Sequence, residues 1–183
     1  ELMLEQSELF TAGEGGYNTY RIPALAVTAS GRILAVCEGR RDSGSDSGQI
    51  DLLVRHSDDS GCTWSDVRVV VTEPEMTSGN PCPVVDLKTG RILLPFCKNL
   101  AEGPEAMICE GKAPRTVWLT HSDDDGMTWS AAREISAQTK KPEWTWYATG
   151  PCHGIQLTGE SAAGRLVVPC DHMIGMYHDR QRD

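Results

Sequence analysis

Arginines and carboxylates gather early in this sequence in an arrangement able to handle an anion. "YRIP" at Tyr20 to Pro23 sets Arg21 ahead of an apolar run, and "EGRRDSGSDSG" at Glu38 to Gly48 sets Arg40 and Arg41 beside a Gly/Ser loop. That loop carries Asp42 and Asp46, with Asp51 just beyond it. A guanidinium is planar, permanently charged and forked, so it grips a carboxylate with paired hydrogen bonds where lysine offers a point charge. A carboxyl group on a mobile loop can give a proton and take one back. A second acidic stretch, "EGPEAMICEGK", supplies Glu102, Glu105 and Glu110. On local sequence alone, Arg21 also reads as a solvated strand-end arginine and Asp46 as a turn-forming Asp. Cys152-His153 and Asp171-His172 hold metal-capable atoms, but two adjacent ligands without a second spaced pair do not make a site. No metal and no cofactor is predicted.

Composition limits what these groups could serve. The chain has 183 residues, 39% hydrophobic and 23% charged, which fits a soluble globular protein with one ordinary core. Its net charge is −9 and its Lys and Arg residues are scattered, which argues against a nucleic-acid partner. No apolar run approaches membrane-spanning length. "ELMLEQSELF" shows no basic segment followed by an apolar block, so no signal peptide is read. The chain does not begin with Met, so this assigns no compartment, secreted and periplasmic included. Seven cysteines, an odd number without C-x-x-C spacing, suggest buried thiols rather than a disulfide framework or zinc ribbon.

The elements that must position these residues are legible from repetition. "SDDSGCTWS" at Ser57 to Ser65 returns as "SDDDGMTWS" at Ser122 to Ser130, 65 residues later. Each copy follows similar material: "RIPALAV", "RILAVCEGR" and "IDLLVRHS" before the first, "PCPVVDL", "RILLPFC" and "TVWLTHS" before the second. Short Val/Ile/Leu-rich runs parted by Gly, Ser, Asp and Pro are the pattern of strands and hairpins, and we read four strands per unit. "CHGIQL" and "GRLVVPC" begin a third unit. In the repeat itself, the Asp accepts backbone N–H bonds within a tight turn and the Gly takes a positive φ. Trp64 and Trp129 then plug apolar space beside the hairpin. The motif is scaffold; a calcium loop is the rival, but the usual ligand run ending in a bidentate Glu is absent.

The repeat resembles the Asp box of sialidases, and other marks of that family follow in order. "YRIP" resembles its N-terminal arginine motif, "EGRRDSGSDSG" its acid/base loop, and "NPCPVVD", "GPCHGIQL" and "GRLVVPC" its blade-core segments. The resemblance implies an all-β fold, a six-bladed sialidase-type β-propeller of which about two and a half blades are present. Residues 1–183 are then the N-terminal part of one propeller domain, with blade 1 about 20–72, blade 2 about 80–137 and an incomplete blade 3 about 145–183. It also implies a retaining exo-sialidase acting on a sialylated glycan. A noncatalytic Asp-box propeller binding acidic glycans is the alternative, which fold alone does not separate.

Residue by residue, Arg21 matches the first of the family's three carboxylate-binding arginines. Arg40, by its spacing to the following Asp, matches an arginine near the sugar's 4-hydroxyl, although strand alternation sets Arg40 and Arg41 on opposite faces and Arg41 stays a rival. Family spacing selects Asp46 as acid/base over Asp42 and Asp51. Glu105 falls where the family places an acid facing the 4-hydroxyl, with Glu102 and Glu110 as close rivals. Gly79 stands where some relatives have a Met lining the N-acetyl pocket. The family nucleophile is a Tyr paired with a Glu, since an anionic nucleophile would be repelled by the substrate carboxylate. That pair and two further arginines lie in later blades. Tyr17, Tyr20, Tyr147 and Tyr177 do not match, so the remainder of the propeller is expected to supply them, and the isolated 183 residues are expected to be inactive with open strand edges.

Overall fold

The computed structural model describes residues 6–175; Tyr177 and the end of the expected third blade, 176–183, lie outside them. Four strands open the chain: β1 (Thr19–Val27), β2 (Ile33–Arg40), β3 (Ile50–Ser57) and β4 (Arg68–Val71), each antiparallel to the next. Strands β5 (Met76–Gly79) and β6 (Val84–Val85) lie along opposite ends of β7 (Ile92–Leu100), which pairs with β8 (Thr116–Ser122) and then β9 (Arg133–Glu134). A single parallel pair, Ile50 with Thr77, joins the two groups into one sheet. Short helices α1 (Glu105–Cys109) and α2 (Ser136–Thr139) flank β8. The third group pairs β10 (Trp146–Thr149) with β13 (Cys170–Met173) and β11 (Ile155–Gln156) with β12 (Leu166–Val167).

The expected single first strand of each unit is bent or broken. Asn80 at φ 56° precedes Pro81 and divides β5 from β6; Gly150 at φ 81° precedes Pro151 and divides β10 from β11. In β1, register slips between Arg21 and Ala24, where Ile22 at φ 54° precedes Pro23. Proline has no N–H to give a ladder, and a left-handed residue turns the chain before it. Glycine takes that conformation freely and asparagine tolerates it, whereas a β-branched isoleucine there is strained.

Alternation along β2 and β3 sorts side chains between two packed faces. Leu34, Val36, Leu52 and Val54 meet Val85, Ile92, Leu94 and Phe96 of the second group in the main core. On the opposite face Cys37 and Leu53 pack with Tyr17. Cys97, Val117 and Tyr147 link the second and third groups. Of the seven thiols, Cys37, Cys82, Cys97 and Cys109 are buried as expected, but Cys62, Cys152 and Cys170 are exposed. Cys62 lies in the repeat turn and Cys152 in the Gly150-Pro151 bend, outside the apolar strands.

The two repeat turns are superimposable in their bonding. Asp59 accepts from the Thr63 backbone N at 2.8 Å and its hydroxyl at 2.6 Å, and Asp124 accepts from Thr128 at the same distances. Ser57 and Ser122 each donate to the Asp at 2.8 Å and accept from the Gly N–H at 2.8 Å. The tryptophans differ: Trp129 packs against the main core, while Trp64 is only partly buried and donates its indole N–H to the Gly61 carbonyl.

The threonine bonds hold both Asp carboxyls down to about 2. A depressed folded value means that the contribution is complete above the unfolded value of ~3.9 and lost as pH falls toward the folded one. Acidification from pH 4 to pH 2 is therefore expected to lower Tm more steeply in the protein than in an Asp59→Asn/Asp124→Asn double variant. Parallel acid limbs in differential scanning calorimetry would contradict this.

Candidate functional site

The face of β2 that carries Leu34 and Val36 continues into Glu38 and Arg40, because alternate strand residues share a face. Their side chains are only 4% and 3% exposed and lie against each other. Glu38 Oε2 accepts from Arg40 Nε at 3.0 Å and Nη2 at 2.7 Å. Arg40 Nη1 turns into the β2–β3 loop and donates to the carbonyls of Gly44 at 2.7 Å and Ser45 at 2.8 Å. The same nitrogen is 2.8 Å from Asp46 Oδ1. Arg21, at the bend of β1, donates to that Oδ1 at 2.9 Å from the other side. One carboxylate oxygen thus sits between two guanidinium groups. Arg21 and Asp46 are 47% and 65% exposed, open to a ligand, whereas Arg40 lies beneath them.

Arg41 points to the opposite face and donates to Asp51 Oδ2 at 2.5 Å, with its Cζ 5.2 Å from the Tyr17 ring centroid. Tyr17 donates to the same Asp51 oxygen at 2.8 Å, and Asp51 Oδ1 is buried without a partner. Asp42 is exposed and takes no part in these bonds. Glu105 opens α1, half-buried, and no hydrogen bond or ion pair among the described residues ties it to Arg21, Arg40 or Asp46. Glu102 is exposed, and Glu110 pairs with Lys112 at 2.5 Å.

Sequence reasoning missed the groups behind Arg40. Glu38 Oε1 accepts the Asn80 backbone N–H at 2.9 Å. The Asn80 side-chain oxygen accepts from Arg115, which also donates to Asn99 Oδ1 and, at 2.6 Å, to the Tyr147 carbonyl. Arg115 is buried with its Cζ 4.0 Å from the Trp146 ring centroid. A polar line thus runs from Arg21 through Asp46, Arg40, Glu38 and Asn80 to Arg115. Glu38 had a readable signal, an acid two residues before an arginine on one strand; Arg115 had none.

The sequence profile of the BNR repeat-like domain family matches residues 31–181. The chain belongs to that family. Within it, the similarity is to sialidases: it is 35% identical over 173 residues to an exo-alpha-sialidase of Aspergillus fumigatus, covering 84% of this chain and 41% of that protein. Human Sialidase-4 is 34% identical over 159 residues, covering 82% of this chain and 32% of that protein. Among solved structures, the Hadza microbial sialidase Hz136 superposes with a TM-score of 0.78 at 30% identity, over 89% of this chain and 34% of that one. The chain spans less than half the length of these relatives. Its architecture is part of a sialidase-type β-propeller, as the resemblance implies.

Burial also shifts several titratable groups of this BNR repeat-like chain away from their ordinary values. Burial, with Glu38 adjacent, pushes the Cys37 thiol up to about 12, so it stays protonated. Burial first, and then the bond to Asp51, raises the Tyr17 phenol; burial also raises Tyr20 and Tyr147. All three are held as neutral phenols.

Gly79 is required by the same network. A Cβ on it would lie 2.8 Å from Glu38 Oε1, an atom already pinned by Asn80 on one side and, through its carboxylate, by Arg40 on the other. A larger side chain at 79 would need Glu38 to move. Gly79→Ala is accordingly expected to cost about 1–3 kcal/mol of stability through overpacking, read as a lower Tm or urea midpoint. An unchanged midpoint would show that Glu38 yields freely.

Proposed function

We propose that this chain is part of an exo-α-sialidase, a retaining glycoside hydrolase that releases terminal sialic acid from glycoconjugates. The observation that carries the reading is the exposed Asp46 carboxylate held between Arg21 and Arg40 on a Gly/Ser loop. A sialic acid brings a permanent carboxylate on its anomeric carbon, beside the glycosidic oxygen that must be protonated. A site for it needs an accessible arginine fork next to an accessible acid, and these two groups stand 2.9 Å apart.

In this reading Arg21 engages the substrate carboxylate and gives up its bond to Asp46, an exposed pair worth at most about 1 kcal/mol and so readily exchanged. Asp46 then protonates the leaving oxygen and later activates water for the second step. Arg40 commits four N–H groups to Glu38, Gly44 and Ser45, and its remaining Nη2 N–H is proposed to face the 4-hydroxyl region. Glu105 is assigned to that region on family position alone. The nucleophilic Tyr/Glu pair and the other two carboxylate arginines are proposed to lie in later blades of the complete protein.

Two substitutions in the complete protein test the roles. Arg21→Lys keeps the charge but loses the fork, and is expected to remove about 2–4 kcal/mol of transition-state stabilisation in kcat/KM. An unchanged kcat/KM would take Arg21 out of the site. Asp46→Ala should slow hydrolysis of sialyl-galactosides, whose alkoxide leaves only with a proton, by about 10²–10⁴-fold. An aryl sialoside with an acidic phenol should suffer much less and show a burst as the glycosyl-enzyme accumulates. Equal losses on both substrates, with leaving-group dependence appearing instead in Asp42→Ala, would move the acid to Asp42. Sialoside binding without turnover by the unaltered protein would favour the noncatalytic glycan-binding propeller.

A further inference from the structure

We infer that Glu38 is a positioning residue for Asp46, acting through Arg40, which serves as the clamp on the acid-bearing loop. The functional half of this inference rests on the acid role proposed for Asp46; the clamp does not. The loop from Asp42 to Gln49 is rich in Gly and Ser, exposed through Asp46, and its internal bonds are two Ser-to-backbone contacts of 3.2 Å and a Ser45–Ser47 hydroxyl contact. Such a segment has no preference for one conformation. Against it, Arg40 Nη1 bonds Gly44 and Ser45 and touches Asp46, while the exposed Arg21 also donates to Asp46 and Thr77 Oγ1 ties the far end of the loop at the Gly48 carbonyl.

A guanidinium can aim one edge only if its other edge is fixed. Glu38 does this by accepting the Nε/Nη2 edge, and the Asn80 N–H at Oε1 fixes Glu38 in turn. The left-handed Asn80 presents that N–H, and Gly79 leaves the space the carboxylate fills. The direction of Nη1, and with it the buried one of the two guanidinium contacts that hold Asp46 together with the Gly44–Ser45 backbone, is therefore set by a buried acid that does not reach the loop. A displacement of about 1 Å at a reacting group can cost on the order of 10²-fold in rate, so an indirect clamp is enough to matter.

The test uses Glu38→Gln in the complete protein, with two readouts. Amide hydrogen exchange at residues 43–48 is expected to rise, while exchange in the Asp-box turns at 58–63 and 123–128 stays as in the parent. With sialyl-galactoside, kcat should fall tenfold or more at nearly constant KM, and with a nitrophenyl sialoside it should fall less than threefold, reproducing in weaker form the Asp46→Ala pattern. Arg40→Lys should give the same rise in loop exchange and the same leaving-group dependence of kcat, with a higher KM besides because Arg40 also faces the substrate. Glu38→Gln added to Arg40→Lys should change loop exchange and kcat almost not at all, because both break one clamp. If Glu38→Gln does not fold, Arg40→Lys carries both readouts. Unchanged loop exchange would overturn the clamp. Raised exchange with equal kcat losses on both substrates, or with a loss confined to KM, would overturn the positioning role. Absence of sialoside turnover in the parent protein would instead defeat the sialidase reading, with the exchange result still deciding the clamp.

Discussion

Two opposite charges, Glu38 and Arg40, lie side by side almost wholly out of water, and much of the surrounding structure follows from that arrangement. Removing an ion from water costs several kcal/mol, and Coulomb attraction offsets it only when the remaining lone pairs and N–H groups also find partners. Here they do. The second Glu38 oxygen takes a backbone N–H from Asn80, and the second edge of Arg40 takes the carbonyls of Gly44 and Ser45. These demands explain features that look unrelated in sequence. A Cβ on Gly79 would stand only 2.8 Å from Glu38 Oε1, and Asn80 adopts a left-handed conformation with its N–H on that oxygen.

Repetition supplies the frame. In each of the three units a left-handed residue followed by proline bends the first strand: Ile22-Pro23, Asn80-Pro81, Gly150-Pro151. The residue just before each bend is Arg21, Gly79 and Thr149, and these contribute, in turn, an exposed guanidinium paired with Asp46, an open space and a hydroxyl donating to the Asn80 carbonyl at 2.5 Å. The strain of holding isoleucine at positive φ falls directly after Arg21, the arginine that reaches Asp46. One backbone device, repeated, thus brings different chemistry to the same level of neighbouring units.

The Asp boxes belong to the other end of the strands. Strand β3 begins at Ile50, paired with Arg40, and ends at Ser57, where the first box starts. Seven steps at about 3.3 Å put the box roughly 23 Å from the Asp46 end of the strand, which agrees with a scaffold role. The matching distances in the two boxes show closed, self-satisfied turns. Their carboxylates close turns at one end of the strands, while the exposed loop carboxylate lies at the other end and is assigned to a ligand only by the proposal above.

Sequence by itself determined the repeated strand groups and the Asp-box turns, because each is local: alternation and turn chemistry act within a few residues. Arg21, Arg40 and Asp46 were singled out only by the family resemblance, and their meeting across 25 residues was left to the tertiary structure. Sequence also set Arg40 and Arg41 on opposite faces, a consequence of the two-residue strand period. It did not determine which face held Asp46, nor that β5 and β6 would be separate strands on one partner. It gave no sign that Asn80, Asn99 and Arg115 would line up behind Glu38, since those contacts join residues 16 to 42 positions apart. Three of the seven thiols fell outside the core for the same kind of reason, as burial depends on which segments pack together and not on the residue's own hydropathy. Long-range pairing was left to the tertiary structure because a buried charge fixes only that it must have partners, and the packing of whole units decides which groups arrive to fill that need.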